Sequence, residues 1–147
     1  MLAVLAVIGG LAVAIRGDKP ANGREAVTQQ AERFALALSS YNYRTITRDL
    51  ASVRAMGVGN FRYQYEQVLG GDEFRKALLQ NEAVATAKVV KGPYLASLSD
   101  TDARTFTVLE QTLQGKGQTQ PQTRRVRVES ILVKTTDGWR IDWVEIT

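Results

Sequence analysis

Apolar positions along the chain change their spacing twice, and each change marks a boundary. Met1 to Ile15 carry no charge and no strongly polar side chain, and Arg16, Gly17, Asp18, Lys19 and Pro20 end the run. Residues 1–16 are read as a transmembrane anchor helix. A spanning helix takes about 20 apolar residues, with about 17 as the lower end, so this run is short unless Arg16 snorkels. Two rival readings stand beside it. Ala12-Val13-Ala14 resembles a signal-peptide cleavage site, although no positive segment precedes the run in this sequence. The run could also be a buried helix of a soluble domain. Within it Ala6, Gly10 and Ala14 recur every four residues. Such a smooth stripe lets membrane helices approach closely, although Ala and Gly are also common in membrane helices generally.

Residues 17–24 read as a polar linker with Pro20 and two glycines. From Glu25 to Tyr41 the period is helical: Val27, Ala31, Phe34, Leu38 and Tyr41 share one face. A second helix is expected from an N-cap at Thr47, with Asp49 in its first turn, up to the break at Gly57-Val58-Gly59. A third starts near Asn60 with Phe61, Tyr65, Val68 and Leu69 on one face. Gly70-Gly71 interrupts it, and Asp72 caps a continuation that carries Phe74 and Leu78.

After Asn81 the period becomes two and β-branched residues dominate. Four strands are predicted, at 84–95, 104–113, 123–134 and 139–146. A turn at Ser99–Asp102, a loop at Gly115–Gln122 and a tight Asp137-Gly138 hairpin join them. In the last strand strict alternation puts Trp139, Ile141 and Trp143 on one face and Arg140 and Asp142 on the other. Helices first and hairpin-linked strands afterwards make an α+β domain over residues 25–147, with the helices on one face of an antiparallel sheet.

Composition narrows the chemistry. The 147 residues include 44% hydrophobic and 23% charged side chains, as a globular chain does. Cysteine and histidine are both absent. Disulfides, thiolate nucleophiles, Ser-His-Asp triads and His-based metal sites are therefore impossible. Catalysis would fall to Asp, Glu, Lys, Tyr, Ser or Thr with strongly shifted pKa values or a cofactor. The formal net charge of +4 favours anionic partners only modestly.

Candidate groups are few. Tyr41, Tyr43, Tyr65 and Asp142 could line a pocket, although tyrosines closing the edge of a core explain the same pattern. Asp72-Glu73 and Asp100-Thr101-Asp102 fit a helix start and a turn better than a metal site. Gly57-Val58-Gly59 lacks the strand and third glycine of a dinucleotide loop. Arg124-Arg125-Val126-Arg127 is the densest basic cluster: a possible contact patch for lipid phosphates or an acidic partner, or a guard on a sheet edge. Arg125 and Arg127 should point one way and Arg124 the other. No aromatic platform accompanies these arginines in the sequence, so nucleic acid is not an expected partner.

Three stretches carry a resemblance: Leu38-Ser39-Ser40-Tyr41-Asn42-Tyr43 with Thr45-Ile46, the junction Met56-Gly57-Val58-Gly59-Asn60-Phe61 with Tyr65, and the closing Asp137-Gly138-Trp139-Arg140-Ile141 hairpin. With the element order and the N-terminal anchor, they resemble the Mce-associated membrane proteins of actinobacteria. More distantly they resemble assembly-scaffold subunits of type IV secretion systems. Both groups have the nuclear-transport-factor-like, cystatin-like superfold. The resemblance implies about three helices on one face of a four-stranded curved antiparallel sheet, and a non-enzymatic, single-pass plasma-membrane protein whose domain faces the extracytoplasmic (periplasmic) side. It implies docking onto an Mce lipid importer, with permease membrane helices, MCE-domain proteins and membrane lipid as partners and no cofactor. Arg16, Lys19 and Arg24 follow the apolar run, and the positive-inside rule would put that side in the cytoplasm. Two alternatives are kept: a lipid- or small-molecule-binding domain with its own pocket, and a self-associating scaffold of the secretion-assembly kind.

Overall fold

The computed structural model describes residues 19–68 and 70–147; the expected anchor and its stripe Ala6, Gly10 and Ala14 lie outside the described residues. The order is α1 (Lys19–Ser39), β1 (Tyr41–Asn42), a 3-10 turn (Tyr43–Thr45), α2 (Ile46–Ala55), α3 (Gly59–Val68), α4 (Asp72–Gln80), β2 (Val84–Leu98), β3 (Asp102–Gln114), β4 (Gln122–Thr135) and β5 (Gly138–Ile146). The five strands form one antiparallel sheet in the order β1-β2-β3-β4-β5. The α+β class and the antiparallel pairing match the expectation; among the described residues the domain's helix and strand counts rise to four and five.

The additions have local causes. Helix α1 begins at Lys19, inside the stretch expected to be a linker. Pro20 falls in the first turn, where its missing N–H breaks no helical bond. The helix stops at Ser39 because Tyr41 and Asn42 pair with Ala85 and Val84 as a two-residue strand. Tyr41 thus leaves the helical face expected of it. Helix α2 starts one residue ahead of Thr47, which caps nothing. Instead Asp49 accepts hydrogen bonds from the Asn42 N–H (3.0 Å) and the Thr45 hydroxyl (2.8 Å), locking the turn that enters the helix. Asp72 likewise lies inside the first turn of α4, with Gly71 at the cap position.

The core lies between α1, α2, α3 and one face of the sheet. Val27, Ala31, Phe34 and Ala35 of α1 meet Phe61 and Tyr65 of α3. Phe34 and Phe61 pack edge to face, their centroids 5.3 Å apart. From the sheet come Ala103, Thr105, Thr107 and Leu109 of β3, Val126, Val128, Ser130 and Leu132 of β4, and Trp139, Ile141 and Val144 of β5, all buried. Burying a Phe or Leu side chain stabilises by roughly 1.5–3 kcal/mol, so this face holds the fold.

Strand β5 corrects one expectation. Ile131 faces Trp143 while Leu132 faces Ile141, so Asp142 is an extra residue in β5. A bulge of this kind shifts the alternation by one. Trp139 and Ile141 point into the core, Val144 takes the next inward place, and Trp143 is 45% exposed. The α2–α3 junction fixes the bulge from outside. The Ile141 N–H donates to the Met56 carbonyl, and the Val58 N–H donates to the Ile141 carbonyl, each at 2.9 Å. Asn60 donates to the Asp142 carboxylate at 3.2 Å. The Gly57-Val58-Gly59 break is therefore a bridge onto the sheet edge, Gly57 pairing in parallel with Ile141.

Candidate interaction surface

The four groups considered for a pocket do not converge. Tyr41 packs edge to face on Phe74, with centroids 6.4 Å apart. The cavity beside it, between Leu38, Asp49 and Val53, measures about 20 Å³, room for about one water molecule. Tyr43 lies beneath the Arg44 guanidinium, 4.9 Å from its ring centroid. Tyr65 is buried and donates its hydroxyl to the Leu50 carbonyl at 3.0 Å. Asp142 is held by Asn60 at the bulge. Burial pushes the Tyr41 phenol up, against the pull of Arg124. Burial also raises Tyr65, reinforced by Glu66 and opposed by Arg54. Both shifts keep the phenols neutral, so these tyrosines hold structure rather than supply a base.

The acids stay local. Asp72 pairs with Arg75 at 3.3 Å. Asp102 closes the β2–β3 turn, its carbonyl accepting from the Ser99 N–H at 2.8 Å. Among the described residues no three His, Cys, Asp or Glu groups come together in a metal-holding arrangement.

The arginine cluster is divided between the two faces of β4, as alternation requires. Arg124 lies on the helix side, where its Nε donates to Gln111 at 2.8 Å. Gln111 in turn donates to the Ser39 carbonyl at 2.9 Å, so the pair satisfies the C-terminal end of α1. Arg125 and Arg127 stand on the other face. Arg125 lies across from Glu110 in the register. Arg127 pairs with Glu129 at 2.8 Å and sits 4.5 Å from the Phe106 ring centroid.

Among the described residues no helix covers that second face. Its cross-strand neighbours are Tyr94 with Phe106, Phe106 with Glu129, Lys91 with Val108, Val108 with Arg127, and Arg104 with Ile131. Ile131 continues the row to Trp143. Tyr94 leans on Phe106 with centroids 5.0 Å apart, yet stays 47% exposed. The sequence reading missed this cluster because Tyr94 and Phe106 lie on different strands, and a register irregularity between Lys91 and Tyr94 resets the alternation. The arginines therefore do have an aromatic neighbour, which corrects one ground for setting nucleic acid aside; Arg127 already covers Phe106.

No protein-family profile matches the sequence, and no curated protein does. Solved structures do. An IcmL-like type IV secretion system protein from Legionella pneumophila superposes with a TM-score of 0.72 at 13% identity, over 84% of this chain and 91% of that one. VirB8 from Agrobacterium tumefaciens gives 0.67 at 11% identity, over 86% and 92%. The periplasmic domain of DotI gives 0.63 at 15% identity, over 84% and 94%. A nuclear transport factor 2-like superfamily protein from Salmonella enterica gives 0.61 at 14% identity, over 87% and 92%, so the fold is the nuclear-transport-factor-like one. The same fold occurs in a candidate aromatic ring hydroxylase from Novosphingobium aromaticivorans, so the fold alone decides no chemistry.

Proposed function

We propose that this chain is a non-catalytic assembly subunit of a cell-envelope complex, and that its domain works by contacting other proteins. One observation carries the reading: the side chains able to do chemistry are dispersed and individually engaged, whereas the aromatic and charged face of the sheet is left open. The likeness to secretion-system proteins, which spans more than nine-tenths of each of those three chains, supports the scaffold reading over a pocket of its own. In this reading residues 1–16 are the anchor, Ala6, Gly10 and Ala14 pack against a partner's membrane helix, and the domain lies on the periplasmic side. Among the described residues no helix is long and apolar enough to cross a membrane. The finer assignment to an Mce lipid importer rests on the element order, the N-terminal apolar run and the Leu38–Tyr43, Met56–Phe61 and Asp137–Ile141 stretches of the sequence.

Cross-linking the full chain in its native membranes, followed by mild-detergent purification and mass spectrometry, tests the proposal. The expected result is recovery with envelope-complex subunits or as a defined homo-oligomer. A monomer that carries a stoichiometric lipid and no protein neighbour overturns it.

A further inference from the structure

Both edges of the sheet are guarded against an added strand. At the β5 edge the Met56–Val58 bridge holds Ile141, and Gln64 holds Val144. At the other edge β1 covers only Val84 and Ala85. The rest of β2 carries register irregularities at Val89/Lys91, Lys91/Tyr94 and Leu95/Ser97, together with Pro93, Lys88 and Lys91. Bulges, proline and lysine are the features that keep an edge from templating another strand. These guards steer a partner to the side chains on a face.

The open face has the anatomy of a contact site. Its middle strands carry Phe106, Val108 and Ile131 beside the Arg127–Glu129 pair, with Tyr94 leaning on Phe106 from β2 and Trp143 across from Ile131 on β5. Tyr94 and Trp143 are about half exposed. Gly92, at φ +86, and the irregularity beside it turn Tyr94 onto Phe106 instead of out along the edge. The charges on this face are unequal. Glu110 and Glu129 are engaged by Lys88 and Arg127. Among the described residues Lys91, Arg104 and Arg125 form no ion pair and all three are exposed, against Glu145, the unpaired acid opposite Glu129 on this face, so cations remain in surplus. Tyr, Trp and Arg are the residue types that dominate binding energy at protein contacts, and a cationic rim selects a carboxylate-bearing one.

Building on the assembly reading, we infer that this face docks a partner protein that presents an apolar side chain framed by Asp or Glu. Tyr94 and Trp143 are the anchors; Arg104 and Arg125 are the charge readers. A second copy of this chain is a poorer fit, because it would bring the same surplus of cations.

The test places the photo-cross-linking residue p-benzoylphenylalanine at position 94 of the full chain in its native cells, with position 63 as control. Tyr63 is 71% exposed on α3, on the helix side. The expected result is a cross-link from 94 but not 63, to a peptide with Asp or Glu beside the cross-linked apolar residue. It should fall roughly tenfold in the Arg104→Glu/Arg125→Glu variant, the scale set by reversing two rim charges. The thermal midpoint of that variant should fall by no more than a few degrees: both side chains are exposed, and the one new cost is a carboxylate at position 125 facing Glu110. Absence of a cross-link at 94, a cross-link to another copy of this chain, or one indifferent to the charge reversals would each overturn the inference. A cross-link at 63 to an envelope subunit with none at 94 would reject this face while leaving the assembly function standing.

Discussion

Gln64 on α3 grips Val144 on β5 with both ends of its side-chain amide. Its Nε2 donates to the Val144 carbonyl at 2.6 Å, and its Oε1 accepts from the Val144 N–H at 3.2 Å. A side chain thus does what a neighbouring strand's peptide group would do, closing the sheet edge just after the bulge at Asp142. Gln64→Ala leaves both backbone groups without a protein partner at a half-buried position, and should cost about 1–3 kcal/mol. Gln64→Glu keeps the acceptor but sets a carboxylate oxygen against the carbonyl, so it should not rescue the loss. Urea unfolding of the three proteins checks this, and a Gln64→Ala variant as stable as the parent would refute it.

The two tryptophans of β5 should behave oppositely. Trp139 is buried under α1, beside Lys134. Trp139→Ala should cost about 3–5 kcal/mol, as deleting a buried Trp does. Trp143 lies past the bulge and is 45% exposed, so Trp143→Ala should change stability by less than about 1 kcal/mol. Paired denaturant melts decide the matter; equal losses would return Trp143 to the core.

This pair also marks how far the sequence could be read. Periods of 3.6 and 2 located all four main strands and the buried faces of α1 and α3, because Val27, Ala31, Phe34, Phe61 and Tyr65 each answer to a local repeat. Where a distant residue decides, local pattern fails. The bulge at Asp142 depends on Asn60 and on the Met56–Val58 bridge, far back in the chain. Strand β1 is two residues long and exists only through its pairing with Val84 and Ala85. The open-face cluster joins Tyr94 to Phe106 and Arg127 on three strands. The Arg125 and Arg127 side of β4 was legible from alternation; the aromatics beside it needed the register.

Stability should be insensitive to pH near neutrality and fall in alkali. Without histidine, no side chain with an unperturbed pKa titrates between about pH 6 and 8. Tyr65 and Tyr41 are both raised by burial above the ordinary phenol value. A group raised in the fold contributes fully below its unfolded pKa, here about 10, and loses that contribution as pH rises through the folded value. Unfolding free energy should therefore decline above about pH 10. In Tyr65→Phe the decline should be shallower, starting from a level lower by about 1 kcal/mol for the lost Leu50 hydrogen bond. An unchanged alkaline slope would remove Tyr65 as a cause.

Gly57 should tolerate no side chain, and the reason is one ring. A Cβ built there would overlap the Phe61 side chain. Phe61 cannot easily yield, since it is fully buried with Phe34 at 5.3 Å and Tyr65 at 6.1 Å between centroids. The backbone cannot yield freely either, because Gly57 lies between the two hydrogen bonds that tie Met56 and Val58 to Ile141. Gly57→Ala should thus cost about 1–3 kcal/mol through overpacking. Gly23, with nothing within 4 Å of an added Cβ, should respond in the other direction: Gly23→Ala in the interior of α1 should gain about 0.5–1 kcal/mol. The double variant Gly57→Ala/Phe61→Leu separates ring overlap from backbone strain. If the ring is the obstacle, shrinking it absorbs part of the Gly57→Ala cost, and the two changes couple by more than about 0.5 kcal/mol. Strict additivity in chemical unfolding would instead place the obstacle in the backbone of the bridge.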